Sequence, residues 1–232
     1  MTTRIAHRRR LTRLIAAVPA TVALTLGVSA APVTAAGGTV PRPVPPFDDG
    51  GFEEPSVPVG FVVRYGAGSD IGQWRITGGD TDLIGPGYWQ AAAGGQSLDL
   101  DGDVPGSIEQ TFATTVGVCY AVHFALAGNV DSGPAVKTGY AQVSQSILGL
   151  KSRPTRRDFA FDITGKSRDD MGYVRRTFYF RSLSSTATLG FTSTTGSGYG
   201  PVLDDVSVTA DRLSRCRRPA RGIPAETPVH PG

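Results

Sequence analysis

Short runs of alternating apolar and polar residues recur along the chain between residues 61 and 210. In the clearest run, 118–127, Tyr120, Val122, Phe124 and Leu126 share one face of an extended strand. Gly, Pro, Asn and Asp separate the runs, and we find no amphipathic helix between them. The pattern predicts an all-β protein, built as a β-sandwich or jelly roll. The predicted strands are 61–65, 73–77, 81–84, 97–100, 107–114, 118–127, 136–147, 158–164, 174–182, 187–193 and 202–210.

Two adjacent carboxylates, Asp204 and Asp205, interrupt the apolar pattern of the last predicted strand. Because neighbouring side chains of a strand point to opposite faces, one of the two is expected to point inward. A buried carboxylate is costly unless it is paired or holds a metal. A second acidic pair, Glu53 and Glu54, lies near the start of the same domain. The pairs predict a structural Ca²⁺ site formed by Glu53, Asp204 and Asp205; the alternative is that these acids pair with arginines or solvent.

The composition of the chain changes at three places, which predicts four segments. Residues 1–36 combine five arginines with an apolar stretch at 14–26 and small residues suited to cleavage, and are expected to be a secretory signal. That stretch is too short to span a membrane, which needs about 20 apolar residues. Residues 37–46 are a Pro-rich linker, 47–210 the jelly-roll domain, and 211–232 a basic, Pro-rich tail.

The charge of the chain without its signal argues against a nucleic-acid partner. The full chain has a net charge of +3, but residues 37–232 contain 18 basic and 20 acidic residues. Residues 47–209 contain 12 basic and 18 acidic residues, a net charge of −6. A domain of this charge would repel a phosphate backbone.

The two cysteines, Cys119 and Cys216, both follow the predicted signal. An exported chain meets an oxidising compartment, so one disulfide is expected, closing a loop of about 100 residues. Two unpaired thiols are the alternative, since spacing in the sequence does not fix geometry.

A series of short motifs carries a resemblance to a known family. The motifs are Gly51-Phe52-Glu53-Glu54-Pro55, Gln73-Trp74-Arg75-Ile76, Tyr88-Trp89-Gln90, Ser97-Leu98-Asp99-Leu100, Gly106-Ser107-Ile108-Glu109-Gln110-Thr111-Phe112, Leu126-Ala127-Gly128-Asn129 and Leu203-Asp204-Asp205-Val206. In this order they resemble the choice-of-anchor C family of exported bacterial proteins, related to a plant cell-wall family filed as a domain of unknown function. The resemblance covers nearly all of residues 47–210.

The resemblance implies a galactose-binding-like jelly roll, an extracellular location and, from the plant relatives, association with wall polysaccharides. It implies no catalytic activity, and it supports a structural ion between the Phe-Glu and Asp-Asp-Val motifs. Two features depart from the family. Asp48-Asp49-Gly50-Gly51 stands where related chains have Asn-Gly, and no C-terminal sorting signal is seen, so free secretion is expected rather than anchoring.

A sugar-binding site needs an exposed aromatic ring beside polar groups, because ring faces pack on sugar C–H faces. Tyr88-Trp89-Gln90 lies in a loop bounded by Gly and Pro, and Tyr199 in a Gly-rich loop. Asn129, with Asp131 beside it, follows the clearest strand. Trp74, inside a predicted strand, is expected in the core; for Trp89 core packing and ligand binding stay equal alternatives. The predicted ligand-binding residues are Tyr88, Trp89, Gln90, Asn129 and Tyr199.

Little in the sequence supports catalysis. His123 and His230 are the only histidines after the signal, and no Gly-x-Ser-x-Gly context is convincing. A carboxylate pair for glycoside hydrolysis stays open because acids are plentiful. We expect a secreted, non-catalytic module that binds cell-wall or extracellular polysaccharide; the alternative is a structural or protein-interaction module of the cell surface. The glycan, the oligomeric state and the choice between sandwich face and loop rim are left open.

Overall fold

The structure, a computed structural model, describes residues 43–213 and 215–217. Strands with alternating polar and apolar residues form two antiparallel sheets that pack face to face. Within this part of the chain the first sheet has six strands. In spatial order they are β1 (Val62–Gly66), β4 (Asp80–Ile84), β5 (Ser97–Asp99), β14 (Pro201–Ala210), β7 (Cys119–Gly128) and β12 (Val174–Arg181).

The second sheet also has six strands among the described residues. In spatial order they are β11 (Thr155–Asp162), β8 (Val136–Ser144), β13 (Thr186–Ser193), β6 (Ser107–Ala113), β3 (Trp74–Gly78) and β2 (Asp70–Ile71). A two-stranded hairpin, β9 (Ser146–Ile147) and β10 (Leu150–Lys151), projects between β8 and β11. A short 3-10 helix, Arg215–Arg217, follows the last strand.

The predicted all-β jelly-roll sandwich is confirmed, and each of the eleven predicted runs overlaps a strand. The run 136–147 divides into β8 and β9, while β2 and β10 were not predicted. These unpredicted strands have two residues each, too few to show a period. The predicted signal 1–36, most of the linker and the end of the tail lie outside the described residues.

Trp74 is the centre of the aromatic core between the sheets. It is fully buried, as predicted, and its ring centroid lies 5.7 Å from Phe47, 5.6 Å from Phe52 and 5.9 Å from Phe191. Its indole Nε1 donates to the Asp49 carbonyl at 2.9 Å. Without this bond, the buried Nε1 would have no hydrogen-bond partner. The segment before β1 is therefore part of the core.

The same segment crosses β14 at a bulge. The pairing of β14 with β7 shifts register between Asp204 and Ser207, and Asp205 has a positive φ of 44°. The Val206 N–H donates to the Gly50 carbonyl at 2.8 Å, and a Cβ at Gly50 would collide with the Val206 carbonyl. Glycine is required there by this close approach of two backbones.

The strand directions give the sandwich two distinct ends. We call the end that contains the turns 114–118, 145–154 and 182–185 the basal end, and the opposite end the upper end. Both ends of the described chain reach the basal end, where Pro45 accepts from Ala113 N–H and Asp211 N–H donates to Cys119. Within residues 43–213 and 215–217 there is no helix long and apolar enough to cross a membrane.

A disulfide joins Cys119, the first residue of β7, to Cys216 in the 3-10 helix, across 97 positions of sequence. Beside it, the Arg215 guanidinium lies over the Tyr179 ring and donates to its hydroxyl at 2.6 Å. The segment predicted as a tail is thus attached to the domain at least to residue 217.

Replacing both cysteines by alanine is expected to lower the free energy of unfolding by about 4 kcal/mol, because the cross-link restricts a long loop of the unfolded chain. Chemical denaturation of wild type and Cys119→Ala/Cys216→Ala measures the difference. Reduced wild type is the control and should match the variant; equal stability of oxidised wild type and variant would contradict the expectation.

Candidate functional site

A cleft of about 360 Å³ opens on the outer face of the first sheet, towards the upper end. Strands β1 and β4 form its floor with the side chains that point away from the inter-sheet core. Its walls are the upper loops that contain 102–103, 129–131 and 198–199, together with Tyr88 and Trp89 from the connection between β4 and β5. Its lining residues are Val62, Arg64, Asp82, Ile84, Tyr88, Trp89, Gly102, Asp103, Asn129, Asp131, Gly198 and Tyr199.

Arg64 organises the floor of the cleft. Its register partner on β4 is Asp82, and cross-strand partners project to the same face. The guanidinium therefore donates to both Asp82 oxygens, at 2.8 and 3.0 Å, and also pairs with Asp103. The hydrogen bond to Asp82 raises the pKa of Arg64, so the side chain stays charged. One cation with fixed geometry between two carboxylates can bind several hydroxyl groups.

Tyr88 forms one wall and is held by two charged neighbours. Its hydroxyl donates to Asp131 at 2.8 Å, and Arg168 donates to the same hydroxyl at 3.0 Å. Arg168 also binds both Asp131 oxygens, at 2.6 and 2.7 Å, and lies 4.2 Å from the Tyr88 ring centroid. Burial opposes ionisation of Asp131, but the hydrogen bonds from Arg168 and Tyr88 dominate and lower its pKa. The ring is thereby fixed in one orientation.

Tyr199 and Trp89 play different parts in the cleft. Tyr199 is 39% exposed and offers a free ring at the rim, whereas Trp89 is only 5% exposed. The Trp89 indole donates to Ser97 Oγ at 2.8 Å and packs edge-on against Tyr88 at 5.3 Å. The prediction of Trp89 as a sugar platform is therefore corrected: the ring supports Tyr88 because its faces are covered by protein.

Asn129 and Gln90 also differ from their predicted roles. Asn129 is buried; its amide donates to Asp99 at 2.7 Å and its Oδ1 accepts from Asp131 N–H at 2.9 Å. It touches the cleft but mainly positions Asp131. Gln90 lies outside the cleft, where its Oε1 accepts from Met171 N–H at 3.0 Å. The structure thus brings four of the five predicted ligand-binding residues together.

A buried carboxylate below the cleft joins three upper loops. Asp99 accepts from Asn129, from Asp101 N–H at 3.0 Å and from Gly200 N–H at 3.1 Å. Burial raises its pKa well above the usual value. Asp99 and Asp101 are both buried beneath the loops that they connect.

The two acidic motifs meet at one loop, residues 85–96, which we call the cover loop. Glu53 Oε1 accepts from Gly95 N–H at 2.8 Å and Gln96 N–H at 3.1 Å. Asp204 Oδ2 accepts from Ala92 N–H at 2.7 Å and Ala93 N–H at 2.9 Å. Both carboxylates therefore fix the loop that presents Tyr88 and Trp89.

The described contacts of the three predicted ligands are with nitrogen donors. Glu53 Oε1 and Asp204 Oδ2 accept from backbone N–H groups, and Asp205 in the bulge pairs with Arg175. In the described part of the chain, no group of three or more His, Cys, Asp or Glu is arranged to hold a metal. The calcium site stays a prediction without support from a ligand cluster.

Sequence reasoning missed Arg64, Asp82, Asp103 and Arg168. Arg64 and Asp82 stand in the first and third predicted strands, so their pairing became visible only with the register of β1 on β4. Arg168 lies in a long connection between β11 and β12 without any pattern, so no signal could place it beside Tyr88.

The buried carboxyls make stability depend on pH. Burial raises the pKa of Asp204 to about 7 and that of Asp101 to about 6. A group with a raised folded pKa stabilises fully below its unfolded value, and this stabilisation is lost as pH rises through the folded value. We therefore expect the thermal unfolding midpoint to decrease as the pH rises from 5 to 8. His123 opposes the trend, because burial lowers its pKa.

Asp204→Asn measures the contribution of the Asp204 carboxyl to this pH dependence, since an amide keeps an acceptor oxygen but does not titrate. Between pH 5 and 7, the free energy of unfolding should depend less steeply on pH in the variant than in wild type. The two slopes should differ by up to ~1.4 kcal/mol per pH unit. Denaturant titrations at several pH values measure both slopes, and the His123 contribution cancels in the comparison. Identical slopes would show that Asp204 does not titrate in this range.

Among curated proteins, the chain is similar to "Halomucin" of Haloquadratum walsbyi (strain DSM 16790 / HBSQ001), with 29% identity over 138 residues. The match covers 58% of this chain but only 1% of the length of Halomucin.

Two solved structures are similar in their arrangement of strands. One is TmCBM61 in complex with β-1,4-galactotriose, with 14% identity, a TM-score of 0.44 and coverage of 71% of this chain and 97% of that chain. Another is the CBM22-1 xylan-binding domain from Paenibacillus barcinonensis Xyn10C, with 13% identity, a TM-score of 0.45 and coverage of 67% and 96%.

The family profile described as "Protein of unknown function (DUF642)" matches residues 45–209, which include every strand of both sheets except the last residue of β14. The narrower choice-of-anchor C assignment stays a prediction. Because the match spans well over half of the length of this chain, the chain belongs to the DUF642 family.

Proposed function

We propose that the protein is a secreted, non-catalytic module of the choice-of-anchor C type that binds extracellular or cell-wall polysaccharide in its cleft. The observation that carries the proposal is the pairing of two tyrosines with fixed hydrogen-bonding groups. Tyr199 offers an exposed ring at the rim, and Tyr88 stands opposite the paired side chains of Arg64 and Asp82. Sugars are bound by this combination of ring faces and polar groups.

The outer face of the second sheet is a less suitable site. Its aromatic residue Tyr140 lies below the Arg156 guanidinium, which is 3.6 Å from the ring centroid. Arg156 in turn pairs with Asp158 at 2.8 Å. A sugar would have to displace this cation to reach the ring, whereas the Tyr199 side chain is already accessible. The cleft at the loop rim is therefore the favoured site.

The charges of the cleft favour binding over hydrolysis. A glycosidase needs one carboxyl with a raised pKa as general acid beside an ionised partner. Asp82 and Asp103 are paired with Arg64, and hydrogen bonds from Arg168 and Tyr88 hold the pKa of Asp131 low. Carboxylate oxygens held in fixed positions in this way suit acceptance of hydrogen bonds from sugar hydroxyls.

The first test is loss of affinity when the exposed ring is removed. Tyr199→Ala should weaken binding to a retained neutral polysaccharide about fivefold to tenfold, in line with the energy of an aromatic contact. Affinity electrophoresis in gels containing soluble xylan, galactan or β-glucan measures the change. Tyr140→Ala is the matched control; if it weakens binding and Tyr199→Ala does not, the sheet face is the site.

The lining also predicts the class of glycan. Three carboxylates and one arginine line the cleft, so it carries an excess of negative charge. Neutral chains should bind better than polyuronates, because like charges repel at short range.

Asp103→Asn tests this charge preference, since Asp103 has a 77% exposed side chain and can be neutralised without uncovering the core. At low salt the variant should bind a polyuronate more tightly than wild type does, while its affinity for neutral chains changes little. Asp158→Asn, on the second sheet, is the control of equal charge. Tighter binding of polyuronate by wild type would refute the preference.

A further inference from the structure

The hairpin β9–β10 at the basal end carries apolar side chains into solvent. Leu148 is 98% exposed, Leu150 76% and Ile147 43%. Soluble proteins seldom place neighbouring large aliphatic side chains at the tip of a projecting hairpin, because each pays the free energy of hydration without burial. An apolar cluster of this kind indicates a partner surface.

The conformation of the turn does not favour leucine at position 148. Leu148 and Gly149 form its two central positions, with φ values of 50° and 81°. Such turns favour Asn-Gly, because a branched side chain is strained at positive φ. Leu148 gains nothing from packing in return, since almost its whole surface is exposed. A partner that receives the side chain would supply what the fold does not.

The hairpin is fixed to its neighbours and does not stand alone. Gln145 is buried at its base, where its amide donates to the Arg181 carbonyl at 3.0 Å and accepts from Leu183 N–H at 2.7 Å. The turn 114–118 is joined to the same place through Gly117 N–H and the Ser182 carbonyl, 2.8 Å apart. Leu183 and Val116, 43% and 62% exposed, extend the apolar surface from these turns.

The turns that carry this apolar surface are rich in cations. The segments 114–118, 144–157 and 181–185 contain five basic residues and no acidic residue, although residues 47–209 as a whole are acidic. The nearest carboxylate in sequence, Asp158, pairs with Arg156. The basic residues are Lys151, Arg153, Arg156, Arg157 and Arg181. An apolar tip on turns that carry several cations is complementary to a negatively charged surface with an apolar interior.

We propose that the basal end docks on a membrane that contains anionic phospholipids, with Leu148 and Leu150 inserted below the headgroups and the basic residues of the basal turns on the phosphates. A soluble polyanion would use the cations but not the leucines. A second copy of the chain, tip to tip, would bring two sets of cations together. Bound in this way, the protein would direct its cleft away from the membrane, because the cleft lies towards the other end.

The test is sedimentation with vesicles of phosphatidylcholine alone and of phosphatidylcholine with about 30% phosphatidylglycerol, a surface that attracts basic segments. The protein is residues 37–232, which include all the described residues and lack the predicted signal. Wild type should bind the anionic vesicles and bind less as salt is added. Equal binding to both kinds of vesicle, or to neither, would overturn the proposal.

Leu148→Asn/Leu150→Thr removes the apolar tip while suiting the turn and the strand, so the fold should be kept. Its vesicle affinity should fall about tenfold or more, in line with the burial of two leucines. The vesicle affinity of Lys151→Ser/Arg153→Ser should fall roughly fivefold for each cation removed. Val104→Thr, at a 50% exposed residue of the upper end, is the control and should bind as wild type.

Two outcomes would identify another partner. If the leucine variant keeps full vesicle affinity and soluble polyphosphate competes, the basal end binds polyanions and not membrane. If wild type, but not the leucine variant, sediments as a dimer without vesicles, the tip is an interface between copies. Tyr199→Ala should leave vesicle binding unchanged, so failure of the glycan proposal and failure of this one are separable.

Discussion

Two carboxylates, Glu53 and Asp204, hold the cover loop in place, and the candidate site depends on them. Each accepts two backbone N–H groups from the same six-residue stretch, 91–96. Asp204 is fully buried, so leaving its oxygens without donors would be costly, whereas Glu53 is exposed and adds two hydrogen bonds to the loop. The loop and the acids therefore stabilise each other. With the loop fixed, Trp89 supports Tyr88, and Tyr88 closes one wall of the cleft.

The sequence predicted the sheets well because the alternation of apolar and polar residues follows directly from burial of one strand face. Trp74 was placed in the core by its neighbour Ile76, and both are buried. The site was predicted only in part, because loops carry no period. Trp89 and Tyr199 are equally aromatic in sequence, and only tertiary packing separates the buried ring from the exposed one. The acidic pairs were recognised as unusual. Sequence does not reveal that Glu53 and Asp204 bind backbone N–H groups of a distant loop, or that Asp205 pairs with Arg175.

The sandwich separates two kinds of chemistry along its long axis. Carboxylates line the cleft towards the upper end, whereas the basal turns hold five of the twelve basic residues of 47–209 and no acid. Such a separation gives the domain an electric dipole, which orients it as it approaches a charged surface. The two proposed surfaces are carried by different loops, so one can change without disturbing the other. The strands between them supply the rigid spacing.

The disulfide determines how the domain would carry mechanical load. Force applied to the chain beyond Cys216 enters the sandwich at Cys119, the first residue of an interior strand, instead of at Ala210, the last residue of β14. Without the cross-link, tension would enter through β14 and load its pairing with β7 first. With it, tension runs along β7 and is shared by the ladders to β14 and β12, which must shear together. A module gripped by a polymer in its cleft and held at its base would resist flow accordingly.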